Sequence, residues 1–227
     1  MDLGVWKPLN NVCENWKAQS VEAGECADGA VEVAVNGSCK EAAGGYVVRL
    51  DAAGGINVRY DFSSSVEDNP RQWGMVFFAP EQFQTLHWNR AAQWSCYPPG
   101  HIGRPDGTAG ARIADGGQPY AARKPAHPWP LDATVLGGND FSGTKVAIRE
   151  ASLAGPSSKL RVISDGHQSV RAFMDGGRVG LLVAGFHTGG GDIFFDTHFA
   201  AERKPLHPGD RLSDTIQLRL AADGRIP

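Results

Sequence analysis

Glycine and proline interrupt this chain at such short intervals that long helices have little room to form. The 227 residues include 29 glycines and 14 prolines, and both residue types mark turns and loops. Between them lie short segments in which apolar and polar residues alternate, as in a strand with one buried face. The alternation is clearest in Val31–Val35, Ile56–Phe62, Val146–Ile148 and Ile216–Leu220.

The other segments also fit a β fold. Val179–Phe186 is almost wholly apolar, which is typical of a strand buried on both faces, while Asp51–Gly55 and Asp175–Gly177 have the composition of hairpin turns. Many short strands joined by closely spaced turns predict an all-β sandwich or barrel, here a single domain over residues 1–227. The exception is Tyr97–Asp140, rich in Pro, Gly, Ala and Arg. We expect this long excursion to serve a function or an interface.

Composition narrows the possible partners. The formal net charge is −3, from 22 Lys and Arg against 25 Asp and Glu, so the chain lacks the basic excess that favours nucleic-acid binding. No apolar run approaches membrane-spanning length. The first 17 residues lack the apolar stretch of a signal peptide. We therefore expect no nucleic acid and no membrane as partner, and the compartment stays undetermined between a cytoplasmic chain and a chain whose N-terminus has been removed.

Motifs for catalysis and for cofactors are not found in the sequence. There is no GxSxG elbow, HExxH, phosphate-cradling loop or dinucleotide fingerprint, and no CxxC pair that would indicate structural zinc. We expect no metal, no cofactor and free thiols. His187 and His198 could meet across a hairpin as ligands or as an acid–base pair, but hydrogen-bonded structural histidines are the favoured interpretation. The cysteines are Cys13, Cys26, Cys39 and Cys96.

Aromatic residues with polar neighbours are more informative. Trp88 and Trp94 lie close in sequence to Arg90 and Tyr97. Sugars present apolar C–H faces and hydroxyl edges, so rings beside Arg, Asn and His suit sugar binding. The competing interpretation, favoured for any single ring, is that these rings fill the core.

Eight short segments follow the order of motifs in a known family. They are Val5–Asn10, Trp16–Lys17, Leu86–Arg90, Tyr97–Pro98, His101–Arg104, Gly107–Ala109, Leu136–Phe141 and Gly185–Asp192 with Phe195. In this order they resemble the W-R-A-P-x-D-N-D…W, W-x-G-R…Y-P-D-R, G-N-R and G-F-x-M-G-x-G-G-D-x-S-W motifs of the C-terminal small-chain domain of family 2 β-galactosidases. The resemblance runs from about residue 5 to residue 220.

The resemblance implies a β-supersandwich of the galactose mutarotase-like kind, belonging to an enzyme that cleaves β-linked sugars. In that family both catalytic glutamates lie on a separate TIM barrel, so this domain would not be catalytic by itself. It would pack against the barrel and sandwich domains and lend one aromatic, Phe195 by position, to the sugar site. The Y-P-D-R motif is interrupted between Tyr97 and Arg104, and H-E-N is not preserved. The sequence therefore leaves open a β-galactosidase or another family 2 glycosidase.

We predict one face that binds carbohydrate or the partner domain. Three successive glycines let a backbone approach a ligand closely, an aspartate can accept hydrogen bonds from hydroxyls, and a phenylalanine can stack on a sugar. A plain hairpin with a buried ring is the competing interpretation. Two other functions stay open: a stand-alone mutarotase-like isomerase with a His and an Asp or Glu as base and acid, and a free carbohydrate-binding module. The predicted face comprises His187, Gly189, Gly190, Gly191, Asp192 and Phe195, with Trp88, Arg90 and Tyr97 nearby.

Overall fold

The structure, a computed structural model, describes residues 15–68, 70, 72–91, 105–110, 144–175, 177–187 and 205–222. Within these ranges the chain forms strands, turns and no helix, which confirms the prediction of an all-β fold. The twelve strands are β1 (Lys17–Glu25), β2 (Val31–Ser38), β3 (Ala42–Leu50), β4 (Gly55–Ser64), β5 (Gln72–Pro80), β6 (Thr85–Arg90), β7 (Asp106–Gly110), β8 (Ile148–Ala154), β9 (Ser158–Ile163), β10 (Ser169–Asp175), β11 (Arg178–His187) and β12 (Arg211–Ala222).

The strands form one large and one small sheet. The large sheet has nine strands in the order β1-β2-β3-β4-β12-β9-β8-β6-β7, and the small sheet has three in the order β10-β11-β5. Neighbouring strands are antiparallel throughout. The last strand, β12, lies between β4 and β9 at the centre of the large sheet, so it joins the first four strands to the later ones.

The core lies between the two sheets. Val58 of β4 and Ile216 of β12 belong to the same buried cluster as Leu181 and Val183 of β11. Each is 1% exposed or less, and burying a side chain of this size contributes about 1.5–3 kcal/mol. Residues 179–184 of β11 are buried without interruption, because its second face carries Leu182 in a separate small cluster. The prediction of a strand buried on both faces is therefore confirmed.

The two predicted hairpin turns are present. The Asp51 N–H donates to the Gly55 carbonyl at 3.0 Å, and Asp51 Oδ1 accepts from the N–H groups of Ala53 and Gly55 at 2.8 Å each. At the second turn Asp175 pairs with Arg178. The bonds from the Asp51 side chain to the backbone of its own turn are why aspartate is common at such positions.

One predicted strand is shorter than its pattern indicates. β8 begins at Ile148, while Val146 is 37% exposed. Between them Ala147 has φ of 54°, a left-handed conformation that an extended strand does not contain. Of the excursion Tyr97–Asp140, only residues 105–110 are described, and they include β7.

Candidate functional site

Five polar side chains from three parts of the chain meet at one end of the sandwich. We call them the histidine cluster: Tyr60 of β4, Asp165, His167 and Gln168 of the loop between β9 and β10, and Asp214 of β12. Tyr60 and Asp214 are directly paired across the two strands. Because paired residues share a face of the sheet, Asp214 points into the sandwich as Tyr60 does, among the apolar inward positions of β12.

The imidazole of His167 bridges two carboxylates of different exposure. Its Nε2 lies 3.0 Å from Asp214 Oδ1, and its Nδ1 contacts Asp165 Oδ1. The Asp214 side chain is 12% exposed, whereas that of Asp165 is 80% exposed. The inner carboxylate is fixed further by Gln168, whose Nε2 donates to Asp214 Oδ2 at 2.7 Å and to the Thr215 carbonyl at 3.1 Å. The imidazole of His167 is therefore accessible to solvent, while the Asp214 carboxylate that it contacts is mostly buried and held in place by Gln168.

The electrostatics of the cluster favour a charged imidazole. Burial lowers the pKa of His167, but hydrogen bonds to Asp165 and Asp214 and the charges of both carboxylates outweigh burial and raise it. The hydrogen bond from His167 is also the main reason why the pKa of Asp165 is lowered. Burial, followed by the charge of Asp214, raises the pKa of Tyr60, and the backbone N–H of Gly185 partly offsets the rise. Tyr60 therefore keeps its proton while His167 can gain or lose one.

A glycine in β11 gives the cluster its room. A Cβ placed on Gly185 would lie 2.7 Å from Asp214 Oδ2 and 2.8 Å from Tyr60 Oη, closer than side-chain atoms tolerate. The absence of a side chain therefore lets β11 pass directly over the pair. This glycine opens the segment in which the sequence predicts a binding face, and here its role is close packing against polar groups.

Backbone hydrogen bonds connect the histidine cluster to the end of β6. The Ala91 N–H donates to the Ala147 carbonyl at 2.7 Å, and the next residue, Ile148, donates its N–H to the Gln168 carbonyl at 2.8 Å. A Cβ on Gly166 would lie 4.0 Å from Ala91. Ala147 is the non-glycine residue with positive φ in the described chain. Strained backbone of this kind concentrates where the surrounding structure holds a site in place.

The two segments with most of the predicted binding residues thus start at the same end of the sandwich. The segment after Ala91 leads to Tyr97, and the segment after His187 leads to the triple glycine. His187 ends β11 two residues beyond Gly185. The predicted positions outside the described residues are Gly189, Gly190, Gly191, Asp192, Phe195 and Tyr97, so the predicted face stays a prediction.

The described members of the predicted face lie in regular strands. Trp88 of β6 is 4% exposed, its ring lies 4.7 Å from Lys145 Nζ, and a Cβ on Gly107 would be 2.4 Å from it. This is the core position that the competing interpretation foresees for a single ring. The Arg90 N–H donates to the Pro105 carbonyl at 2.8 Å.

Sequence reasoning did not identify the histidine cluster. His167 and Asp214 are 47 positions apart, and only the strand order brings them together. One signal was available: Asp214 occupies an inward position of the alternation that continues through Ile216 and Leu218. A charged residue at such a position requires a buried partner.

Neither a metal-binding cluster nor a membrane-spanning helix is found among the described residues. In the ranges given above, no three His, Cys, Asp or Glu side chains lie together so that they could hold a metal ion. None of these segments forms a helix long and apolar enough to cross a membrane. Cys26 and Cys39, the cysteines among the described residues, are not joined by a disulfide.

The strand order and the core define an antiparallel β-sandwich of two unequal sheets. No protein-family model matches the chain, and no curated protein matches it. Two solved structures are similar to it. The Slr1438 protein from Synechocystis sp. PCC 6803 shares 10% identity over 92% of this chain and 66% of that one, with a TM-score of 0.37. A galactose mutarotase-like protein from Lactobacillus casei ATCC 334 shares 12% identity over 89% of this chain and 73% of that one, with a TM-score of 0.34. This chain spans slightly less than two thirds of the first structure's length. With scores this low, the fold assignment rests on the strand pairing itself.

Proposed function

We propose that this chain is an accessory β-supersandwich domain of a β-galactosidase-like family 2 glycoside hydrolase, not catalytic by itself. Its histidine-cluster end would face the catalytic barrel and the sugar. The observation that carries the proposal is the common origin of the segments that follow Ala91 and His187, since both leave the sheets around the histidine cluster. Binding residues are usually found in segments that leave a rigid sandwich at one end.

The pairing of the motif segments supports the same proposal. Leu86–Arg90 and Gly107–Ala109 resemble neighbouring parts of one family motif, and here they form β6 and β7, paired directly with each other. In the last motif, Gly185 makes room for two polar side chains, and Phe186 stacks on Trp73 with ring centroids 4.2 Å apart. The contacts of these residues hold strands together, which is what a scaffold domain requires.

The first experiment tests whether the domain acts within a larger enzyme. In the full parent enzyme, Phe195→Ala should raise KM for an aryl β-galactoside severalfold while Tm stays within about 2 °C. The matched control is Phe78→Ala, because Phe78 is a 43% exposed phenylalanine of β5. We expect the control to leave KM unchanged. Equal KM for both variants and the parent would contradict a role of Phe195 at the sugar site.

The isolated chain should not hydrolyse aryl glycosides. Hydrolysis requires a paired acid and nucleophile at short separation, and the family supplies both from its barrel. A nitrophenyl galactoside assay on the purified chain tests this. Robust turnover that disappears when a carboxylate of this chain is replaced would overturn the proposal.

One observation favours a second candidate, a stand-alone mutarotase-like isomerase. Mutarotation needs a base that takes the proton of the anomeric hydroxyl and an acid that protonates the ring oxygen, so that the ring opens and closes again. His167, with its raised pKa, could supply one proton, and a carboxylate of the histidine cluster could accept the other. Polarimetry with glucose and galactose separates the two candidates: acceleration lost in both His167→Gln and Asp214→Asn would favour the isomerase.

A sugar array on the same sample addresses the third alternative, a free carbohydrate-binding module. Tight binding of one glycan without mutarotation or hydrolysis would favour the module. Absence of all three activities in the isolated chain, together with the KM effect in the parent enzyme, is the result that we expect for an accessory domain.

A further inference from the structure

Four central strands of the large sheet carry an excess of basic residues on their outer surface, although the chain as a whole is acidic. We call the outward-facing residues of β3, β4, β12 and β9 the arginine face. They alternate with the buried residues of the same strands. Asp61 is the sole acidic residue at these outward positions, within a chain of net charge −3. The basic residues of the face are Arg49, Arg59, Lys159, Arg161, Arg211 and Arg219.

Three of the arginines are already paired with carboxylates. Arg161 binds both oxygens of Glu150 at 3.1 and 2.8 Å. Arg211 binds both oxygens of Asp61 at 2.7 and 2.6 Å. Arg49 forms an ion pair with Asp28, which lies in the turn before β2. The first two pairs have the two-pronged geometry in which a guanidinium group suits a carboxylate.

Two other arginines are exposed and form no close ion pair among the described residues, although the charge of Arg59 helps to lower the pKa of Asp61. Arg59 is directly paired with Thr215, and Arg219 is directly paired with Arg161. Two like charges opposite each other on neighbouring strands destabilise a sheet. Glu150 neutralises Arg161 and leaves the charge of Arg219 uncompensated. An anion bound over the strands would supply the missing negative charge.

The basic groups are spaced along one line, with Asp61 between Arg211 and Arg59 and neutral hydrogen-bonding side chains between Arg59 and Arg219. Arg211, the Thr215–Arg59 pair and Arg219 follow at four-residue steps along β12, about 13 Å apart. Two shallow grooves of about 560 and 330 Å³ run along this surface. Their neutral polar lining residues are Asn36, Asn57, Ser213, Thr215 and Gln217, and their lining also includes Asp51, Asp61 and Asp214. No aromatic side chain occupies an outward position of these four strands.

We propose that the arginine face binds an acidic polysaccharide, a polymer of uronic acid residues lying along β12. Its carboxylates would contact Arg59 and Arg219, and its hydroxyls would bond to the amide and hydroxyl side chains between them. A regular polymer fits charges repeated at equal steps. Single-stranded nucleic acid fits less well, because its bases need aromatic platforms that these strands do not offer. The proposal goes beyond the accessory role and does not depend on it, because the face lies on the opposite side of the sheet from the core.

The test is binding of the purified chain to polygalacturonate, measured by affinity electrophoresis or calorimetry at low and physiological salt. Replacing two guanidinium groups that each contact a carboxylate should weaken binding at least tenfold in Arg59→Gln/Arg219→Gln. The charge-matched control is Lys17→Gln/Lys40→Gln, because both lysines are exposed and lie on β1 and in the turn after β2. We expect this control to bind like the parent chain.

Three further probes identify the chemistry. Fully methyl-esterified polygalacturonate keeps the sugar backbone but loses the charge, polyglutamate keeps the carboxylates but loses the sugar, and single-stranded DNA carries phosphates. We expect all three to bind at least tenfold more weakly than polygalacturonate. No binding to polygalacturonate at low salt would overturn the proposal. So would equal binding of polyglutamate or DNA, or an equal loss in the lysine control, because each indicates general attraction of polyanions.

Discussion

The inward face of the large sheet is more completely covered over one half than over the other. In β12, β9 and β8 the inward residues Ile216, Val162 and Leu153 are 0% exposed. In the first three strands, Val21 of β1 and Leu50 of β3 point to the same side but are 63% and 40% exposed. The exceptions are Val35 of β2, which is 7% exposed, and Leu220 near the end of β12, which is 52% exposed. The apolar alternation is similar in both halves, yet burial is more complete in the second.

The width of the small sheet explains the difference. Strands lie about 4.8 Å apart, so three strands span roughly 10 Å between their outer axes and nine span roughly 40 Å. The small sheet covers the centre and the later strands, as the shared cluster of Val58, Ile216 and Val183 shows, and the first strands extend beyond it. Alternation thus reveals which way a side chain points, whereas its burial depends on what lies opposite. We expect the less covered half to be where another domain packs.

Truncating one inward residue in each half gives the largest contrast. Ile216→Ala removes fully buried atoms and leaves a cavity, so we expect the free energy of unfolding to fall by about 2–5 kcal/mol. Val21→Ala removes atoms that are mostly in water, and we expect a change within about 0.5 kcal/mol. Urea denaturation of the isolated chain measures both. A loss at Val21 as large as that at Ile216 would show that something covers β1 in solution.

The fold could be predicted from the sequence to the extent that each segment determines its own structure. The alternation of Ile56–Phe62 became β4, the apolar run at 179–186 became most of β11, and Asp51–Gly55 became a turn. The sheet order could not be read in the same way, because the insertion of β12 between β4 and β9 depends on contacts between distant residues. The start of β8 was placed too early, because nothing in the local pattern shows that Ala147 adopts positive φ.

Removing a charge from each half tests how far burial determines the strength of a polar contact. Asp214→Ala deprives Gln168, which is 1% exposed, of one of its two acceptors and leaves only the Thr215 carbonyl, and a buried N–H left without a partner costs about 1–3 kcal/mol. Asp28→Ala, in the turn between β1 and β2, removes an ion pair with Arg49 between exposed side chains, so we expect a clearly smaller loss, because solvent screens exposed ion pairs. Thermal unfolding of both variants measures the difference. Equal losses would show that Asp214 is more accessible to water than the structure indicates.

The candidate site was less predictable than the fold because, like the sheet order, it depends on contacts between residues that are distant in sequence. The pattern identified Gly185 and His187 as parts of one segment, and the structure adds that Gly185 packs on Asp214 and Tyr60. The partners come from β4 and β12, so no local motif could have named them. Trp88 shows the converse, since a ring with polar sequence neighbours lies in the core.

Two glycine substitutions test close packing in the two halves. A Cβ at Gly185 would be 2.7 Å from Asp214 Oδ2, so Gly185→Ala should destabilise the chain by about 1–3 kcal/mol through overpacking. A Cβ at Gly24 of β1 would meet no atom within 4 Å. We therefore expect Gly24→Ala to be neutral or slightly stabilising, because alanine restricts the unfolded chain. Denaturation midpoints measure both, and an unstrained Gly185→Ala variant would mean that β11 lies farther from the histidine cluster.

The smallest expected effect is the pH dependence of the histidine cluster. The folded-state pKa of His167 is raised above the ordinary value of 6.5, so the stabilisation by its charged form is complete below about pH 6.5 and is lost as pH rises through the folded pKa. The pKa of Asp165 is lowered from 3.8, so its contribution is complete above about pH 3.8 and is lost as pH falls through the folded pKa. Together they stabilise the fold most between these two values.

The measurement is the difference in Tm between the parent chain and His167→Gln from about pH 5 to pH 9. Because the imidazole is about half exposed, we expect the difference to reach at most about 1 kcal/mol, or 2–4 °C, at the acidic end. It should shrink towards zero as pH rises. Asp28→Asn in the less covered half is the control: the pKa of Asp28 is lowered, chiefly by a hydrogen bond from the Ala30 N–H, so this variant should show no pH-dependent difference over the same range. A difference for His167→Gln that stays constant or grows with pH would mean that the two carboxylates hold a neutral imidazole.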